Sequence, residues 1–261
     1  MVALKKGIQR CYIAFVLLLL YAPLMILIVC SFNASKARSV WGGFTLHWYR
    51  DLFHNEEVLE ALKTSLLLTI SAALIAAVLG TMACAGMSFM AKKKRNLLMN
   101  VTNIPLLNAD IVTGIAIMLL FAHFLSLGFT SMLIAHVTLG VPYVILNVMP
   151  RMQQASKGVY EAALDLGASH LTAFMKVVLP EIFPGIAAGF FFAFTVSMDD
   201  FVVTYFTKGP GINTVSTMLY QQLRRGINPQ MYALSAIFLM VILIMLGILN
   251  HIIERQDRRA G

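Results

Sequence analysis

The chain has 261 residues, of which 59% are apolar and only 12% charged, with a mean hydropathy of +0.79. Soluble domains carry about 25% charged residues, so an ordinary soluble domain is excluded and an integral membrane protein of one domain and several spans is expected. The net charge of +8 could serve nucleic acid, but the basic residues stand beside apolar runs, where they suit the anionic cytoplasmic face of a bilayer instead.

Lys5, Lys6 and Arg10 precede a first apolar run over 11–32. That core is longer than the 7–15 residues of a signal peptide, so an uncleaved span is expected, with Pro23 inside it. Asn33 to Glu60 is a first external loop in which Trp41, Phe44, Trp48, Tyr49 and Phe53 mix with charges. Such a segment suits the membrane interface. Trp48 has a second reading, in which its ring faces a central path and covers an ammonium or alkyl group.

A second span over 62–90 is rich in Ala, Gly and Ser, which permit close helix packing. Lys92 to Arg95 anchors its inner end. The third span, 97–124, holds Pro105, Asn108, Asp110 and Gly114, so it is not a uniform helix. The fourth covers 132–149. A polar-containing segment, 150–183, follows. The fifth span, 184–206, opens at Pro184, and Lys208-Gly209-Pro210-Gly211 reads as a turn. The sixth covers 231–253 and a basic tail closes the chain. With six spans both termini share one side. Thirteen Lys and Arg fall on the side of the termini and of 150–183, against seven on the other. That side is therefore read as cytoplasmic.

Within 150–183 two short helices are expected. Val159, Ala163 and Leu166 line the first, with Ser156 as its cap. Gly167 ends it in a left-handed conformation. Leu171, Phe174, Met175 and Val178 line the second, which Pro180 stops. So short a pair cannot bury both apolar stripes by itself, and one is left for a partner.

Three carboxylates, Asp110, Asp199 and Asp200, fall within spans, at roughly 2.5–3.5 kcal/mol each. No Lys or Arg lies between Asn96 and Pro150 or between Val177 and Thr207. Three readings remain. The acids line a path for a cationic substrate; or they are protonated and bonded to helix backbone, Asn108, Thr195 or Ser197; or they relay protons. The Walker motif GxxxxGK[ST] is absent, so ATP hydrolysis by this chain is not expected. Cys11, Cys30 and Cys84 form no CxxC, and the six histidines have no ligand spacing. No metal or other cofactor is expected. His136 reads as a satisfied polar group of the core.

Glu161-Ala162-Ala163, Gly167, Val177 and Leu179-Pro180 resemble the EAA loop of importer-type ABC permeases, with Val177 where the family has Ile. The resemblance implies the all-α type I permease fold with six spans, and a coupling helix that docks on a cytoplasmic ATPase. Trp41 to Tyr49, Ala109 to Ala116 and Ser197 to Thr204 are similar to the spermidine/putrescine permease family, over essentially the whole chain. This implies a bacterial inner-membrane subunit that pairs with a PotB-like sister permease. It further implies two PotA-like ATPases and a PotD-like periplasmic receptor for the polyamine. The family's path residues carry over to Trp48, Asp110, Ser197, Asp199 and Asp200. A permease for another cation or small solute, or a proton-coupled carrier, is the alternative.

Overall fold

The structure, a computed structural model, describes residues 2–35, 40–155, 157–225 and 228–260. The proposed cap Ser156, and Lys36 and Arg38 of the loop expected to be external, lie outside the described residues. The fold is helical. Among the described residues, five helices are long and apolar enough to cross a membrane: Tyr12–Ser31, Glu56–Ser88, Phe129–Gln154, His170–Asp199 and Pro229–Ile248. The chain divides into two compact units, Met1–Leu59 with Gln221–Ile242, and Glu60–Tyr220 with Leu243–Gly261.

In the first unit, α1 (Val2–Ser31) carries Pro23 within the helix. Its apolar side chains from Tyr12 onward are mostly exposed, as on a lipid-facing helix. The loop behind it is tied by Asn33. That side chain donates to Val40 O and accepts from Ser35 N and Gly42 N. A single bridge pairs Asn33 with Phe44. The short helix α2 (His47–His54) buries Trp48 and Leu52, one turn apart.

The helix α3 (Glu56–Ser88), in the second unit from Glu60 onward, presents Ala72, Ala73, Ala76 and Ala77 as a buried small-residue face. The region expected as the third span is three helices, α4 (Lys92–Thr102), α5 (Ile104–Leu107) and α6 (Asp110–Phe124). Asn108 and Ala109 are extended at the break before α6. At ~1.5 Å per residue α6 is about 22 Å long, short of a roughly 30 Å hydrocarbon core.

The helices α7 (Phe129–Gln154) and α10 (Leu179–Asp199) form the central seam. A Cβ on Gly185 would lie 3.2 Å from Val148 Cα, one on Gly189 2.8 Å from Val144 Cα, and one on Gly140 3.3 Å from Ala193 Cβ. Four residues forward along α10 match four residues back along α7, so the pair is antiparallel. Small residues at Gly185, Gly189 and Ala193 bring the two backbones together.

Two helix limits differ from expectation. Pro180 does not stop a helix and Pro184 does not open one. The helix α9 (His170–Ala173) runs through a π-turn, Phe174–Val178, straight into α10. Leu179 N donates to Phe174 O, five residues back. That wider turn resets the ladder just where Pro180 has no N–H to give. At the far end α10 stops at Asp199, not at residue 206. A separate one-and-a-half-turn helix, α11 (Val202–Thr207), follows. It packs with α6 and α7 around Phe121, Ala135 and Val203. The turn after it is as expected: Ile212 N reaches Gly209 O and Gly211 has φ +81°, with Pro210 ahead of it, the type II pattern. Helices α12 (Val215–Arg225) and α13 (Pro229–Ala260) complete the chain.

Candidate functional site

The expected acids stand at helix breaks. Asp110 is the first residue of α6, where the helix dipole favours a negative charge. Asp199 is the last residue of α10. Both are exposed, and neither carboxylate has a hydrogen-bond or ion-pair partner among the described residues. The side chains expected as their partners are engaged elsewhere: Asn108 with Thr113 Oγ1, Thr195 with Phe191 O, Ser197 with His136. Gly114, one turn into α6, lies so close to α11 that a Cβ there would meet Phe206 at 3.0 Å. The helix that starts at Asp110 is thus seamed to the helix that follows Asp199 and Asp200.

Asp200 is a different case. Its side chain is 10% exposed. Oδ1 accepts from Val203 N at 3.3 Å, and Oδ2 accepts from Thr204 N at 2.8 Å and Thr204 Oγ1 at 3.0 Å. It therefore caps the first turn of α11 from one residue ahead of the N-cap position, Phe201. His136 of α7 is its basic neighbour, with Nε2 3.7 Å from Oδ2. The same ring reaches Ser197 Oγ at 2.6 Å through Nδ1, and Thr204 Oγ1 at 2.9 Å through Nε2. His136, Ser197 and Thr204 are all buried. His136 is the satisfied core histidine that the sequence suggests. It meets Asp200 through Thr204 Oγ1, a neighbourhood that only the fold creates.

Trp48 is buried at 6% exposure, and its Nε1 donates to Asn33 O at 2.7 Å. It belongs to the first unit, while Asp110, Ser197, Asp199 and Asp200 belong to the second. Beyond α11, Lys208 Nζ donates to Asn213 Oδ1 at 2.7 Å, and partial burial lowers the pKa of its ammonium from the usual lysine value.

The expected coupling segment is a second candidate site. The helix α8 (Lys157–Asp165) carries Glu161, Ala162 and Ala163. Gly167 has φ +88°. Gly167 N donates to Leu164 O and Ala168 N to Ala163 O, the paired bonds of a Schellman stop. Ser169 then caps α9 by accepting from Thr172 N. Val159, Leu166, Leu171 and Met175 are exposed, Leu166 at 90% and Leu171 at 72%. Val178 and Ala173 turn inward. A cavity of about 550 Å³ lies beneath α8, lined among others by Met90, Met152, Tyr160, Glu161, Leu164 and Phe174. The EAA helix therefore rests on open space as well as on packed side chains. Leu179 and Pro180 lie beyond the π-turn, at the start of α10.

Long apolar helices joined along buried small-residue seams define a multi-pass helical membrane protein. The chain belongs to the family of binding-protein-dependent transport system inner membrane components, whose model matches residues 76–259. It is 34% identical over 248 residues to the putrescine transport system permease protein PotI of Escherichia coli (strain K12), covering 92% of this chain and 88% of that one. To the spermidine/putrescine transport system permease protein PotC of the same strain it is 34% identical over 243 residues, covering 93% and 92%. Among solved structures, it is similar to a bacterial alginate ABC transporter in complex with an alginate pentasaccharide-bound periplasmic protein. The TM-score is 0.70 at 16% identity, covering 97% of this chain and 94% of that one. An amino acid ABC transporter with histidines gives a TM-score of 0.58 at 20% identity, covering 81% and 100%. These likenesses establish the ABC importer permease fold.

Proposed function

We propose that this chain is the permease subunit of an ATP-driven importer that moves polyamines, spermidine or putrescine, into the cytoplasm across a bacterial inner membrane. The observation that carries the reading is the state of Asp110 and Asp199. Both are exposed carboxylates at breaks between apolar helices, without a fixed counterion among the described residues. A polyamine brings ammonium groups spaced by methylenes, and separated carboxylates between apolar walls suit it. The names of the relatives supply the substrate class. Trp48 is part of the proposed route.

In this reading α6, with the short helices before it, is the sixth crossing, and both termini are cytoplasmic. A sister permease forms a heterodimer with this chain, two cytoplasmic ATPases drive it, and a periplasmic receptor delivers substrate. The exposed residues Leu166, Leu171 and Met175 form the face that meets an ATPase, with Glu161, Ala162, Ala163, Gly167, Leu179 and Pro180 shaping the elbow behind it. ATP binding draws the ATPases together, the elbow moves with them, and the seam of α7 and α10 carries that motion to the acids.

Purified complex in proteoliposomes tests this. Putrescine or spermidine uptake requires ATP, and Asp110→Asn and Asp199→Asn each lower it by about tenfold or more with ATPase docking intact. Uptake driven by a pH gradient without ATP would make the chain a proton-coupled carrier and end the proposal. Normal transport by both variants would end the role of the acids.

A further inference from the structure

The adjacent acids Asp199 and Asp200 have opposite surroundings. Asp199 is exposed and unpartnered among the described residues. Both oxygens of Asp200 are used by the first turn of α11. Its backbone carbonyl accepts from Ser216 Oγ at 2.8 Å. The crevice around it, lined by Ser65, Thr69, Ser197, Thr204 and Ser216, has no space for a water molecule. With its side chain only 10% exposed and both oxygens already used, the carboxylate leaves little room for an ammonium head.

One arrangement of hydrogens satisfies the cluster. Ser197 Oγ–H donates to His136 Nδ1, His136 Nε2–H donates to Thr204 Oγ1, and Thr204 Oγ1–H donates to Asp200 Oδ2. The histidine thereby fastens the cap of α11 to α7 and α10. The far end of α11 is fastened to α7 as well, because Ser131 Oγ donates to Thr207 O at 2.8 Å. Six residues cannot hold a helix alone in any solvent that competes for their bonds. These tethers fix where α10 stops, and so where Asp199 points.

We propose that the acid pair is divided in function: Asp200 is a positioning residue, held by His136 through Thr204, and Asp199 alone of the two meets the substrate cation. The inference rests on the transport reading above and names the working acid within it.

The test uses the full complex in proteoliposomes with putrescine, and the melting of each variant. Asp199→Asn raises the KM for uptake about tenfold, with maximal rate and melting near those of the parent. Asp200→Asn puts an amide NH2 where an oxygen accepts an N–H. Maximal rate falls about tenfold, KM stays within about twofold and melting drops. At position 136, Gln sets its amide near the place of Nε2 and keeps the link to Thr204, whereas Asn keeps only the link to Ser197. His136→Gln holds at least about a third of the maximal rate and His136→Asn loses about tenfold. Equal loss in these two variants would reduce His136 to a packing residue and overturn the assignment. So would a raised KM at unchanged melting in Asp200→Asn, which would make Asp200 a substrate ligand. If the parent complex shows no ATP-dependent putrescine uptake, the transport reading fails. The melting of Asp200→Asn against Asp199→Asn then still decides whether Asp200 is the structural member.

Discussion

Gly167→Val is expected to cut ATP-dependent uptake by about tenfold or more while the chain still inserts and still meets its partners. The residue sits at φ +88°, and a β-branched side chain there costs about 1–3 kcal/mol. A Cβ at this position meets nothing within 4 Å, so the whole cost is in the backbone and none of it in packing. The strain is relieved in one of two ways. Either the last turn of α8 unwinds, losing the bonds from Gly167 N to Leu164 O and from Ala168 N to Ala163 O, or α9 swings away. Both displace the exposed Leu166 and Leu171, the face proposed to meet an ATPase. The roughly 550 Å³ cavity under α8 offers no close-packed floor to resist that displacement. Polyamine-stimulated ATP hydrolysis should fall together with uptake. Gly167→Asn should be milder than Gly167→Ala, and both milder than valine, because Asn tolerates the left-handed region best of the three. Stimulated hydrolysis retained in the valine variant would remove the elbow from the coupling path.

That elbow was legible because its determinants are local. A glycine between two short apolar stripes has few other uses, and the left-handed stop at Gly167 follows from neighbours within five residues. The long apolar runs were legible for the same reason, as was the turn at Pro210-Gly211. The π-turn was not. Pro180 reads as a stop unless the preceding turn is already widened, and nothing in the order of residues announces the widening. The partner of Asp200 was hidden by distance. His136 is 64 positions away in the chain and becomes a neighbour only through the antiparallel seam of α7 and α10. A signal for that seam does exist: Gly185, Gly189, Ala193 and Ser197 recur every four residues, a small-residue stripe that marks a helix contact. The burial of Trp48 had no such signal. An indole beside charges reads as interfacial, and only the fold of the loop after α1 supplies Asn33 O to its N–H.

Gly189→Ala, one added methyl group, is expected to lower both stability and transport, the latter by about tenfold. The new Cβ would lie 2.8 Å from Val144 Cα, against an ordinary carbon–carbon contact of ~3.5–4.0 Å. The obstacle is backbone, so no change of rotamer avoids it and the two helices must part by about 1 Å at a cost of roughly 1–3 kcal/mol. Parting them is felt at the site because the seam is regular. Two steps beyond Gly189 and Val144 stand Ser197 and His136, joined at 2.6 Å, and a 1 Å separation carries that pair past hydrogen-bond range. His136 then loses its hold on α10, α11 loses one of its tethers, and Asp199 is presented differently. Gly86→Ala is the control. It sits on α3 with nothing within 4 Å of its Cβ, and a helical Gly→Ala exchange in open space should be neutral or stabilise by up to about 1 kcal/mol. Melting of the purified complex and initial uptake rates read both effects. A Gly189→Ala variant that melts and transports like Gly86→Ala would mean that the α7–α10 seam does not set the geometry of the acids.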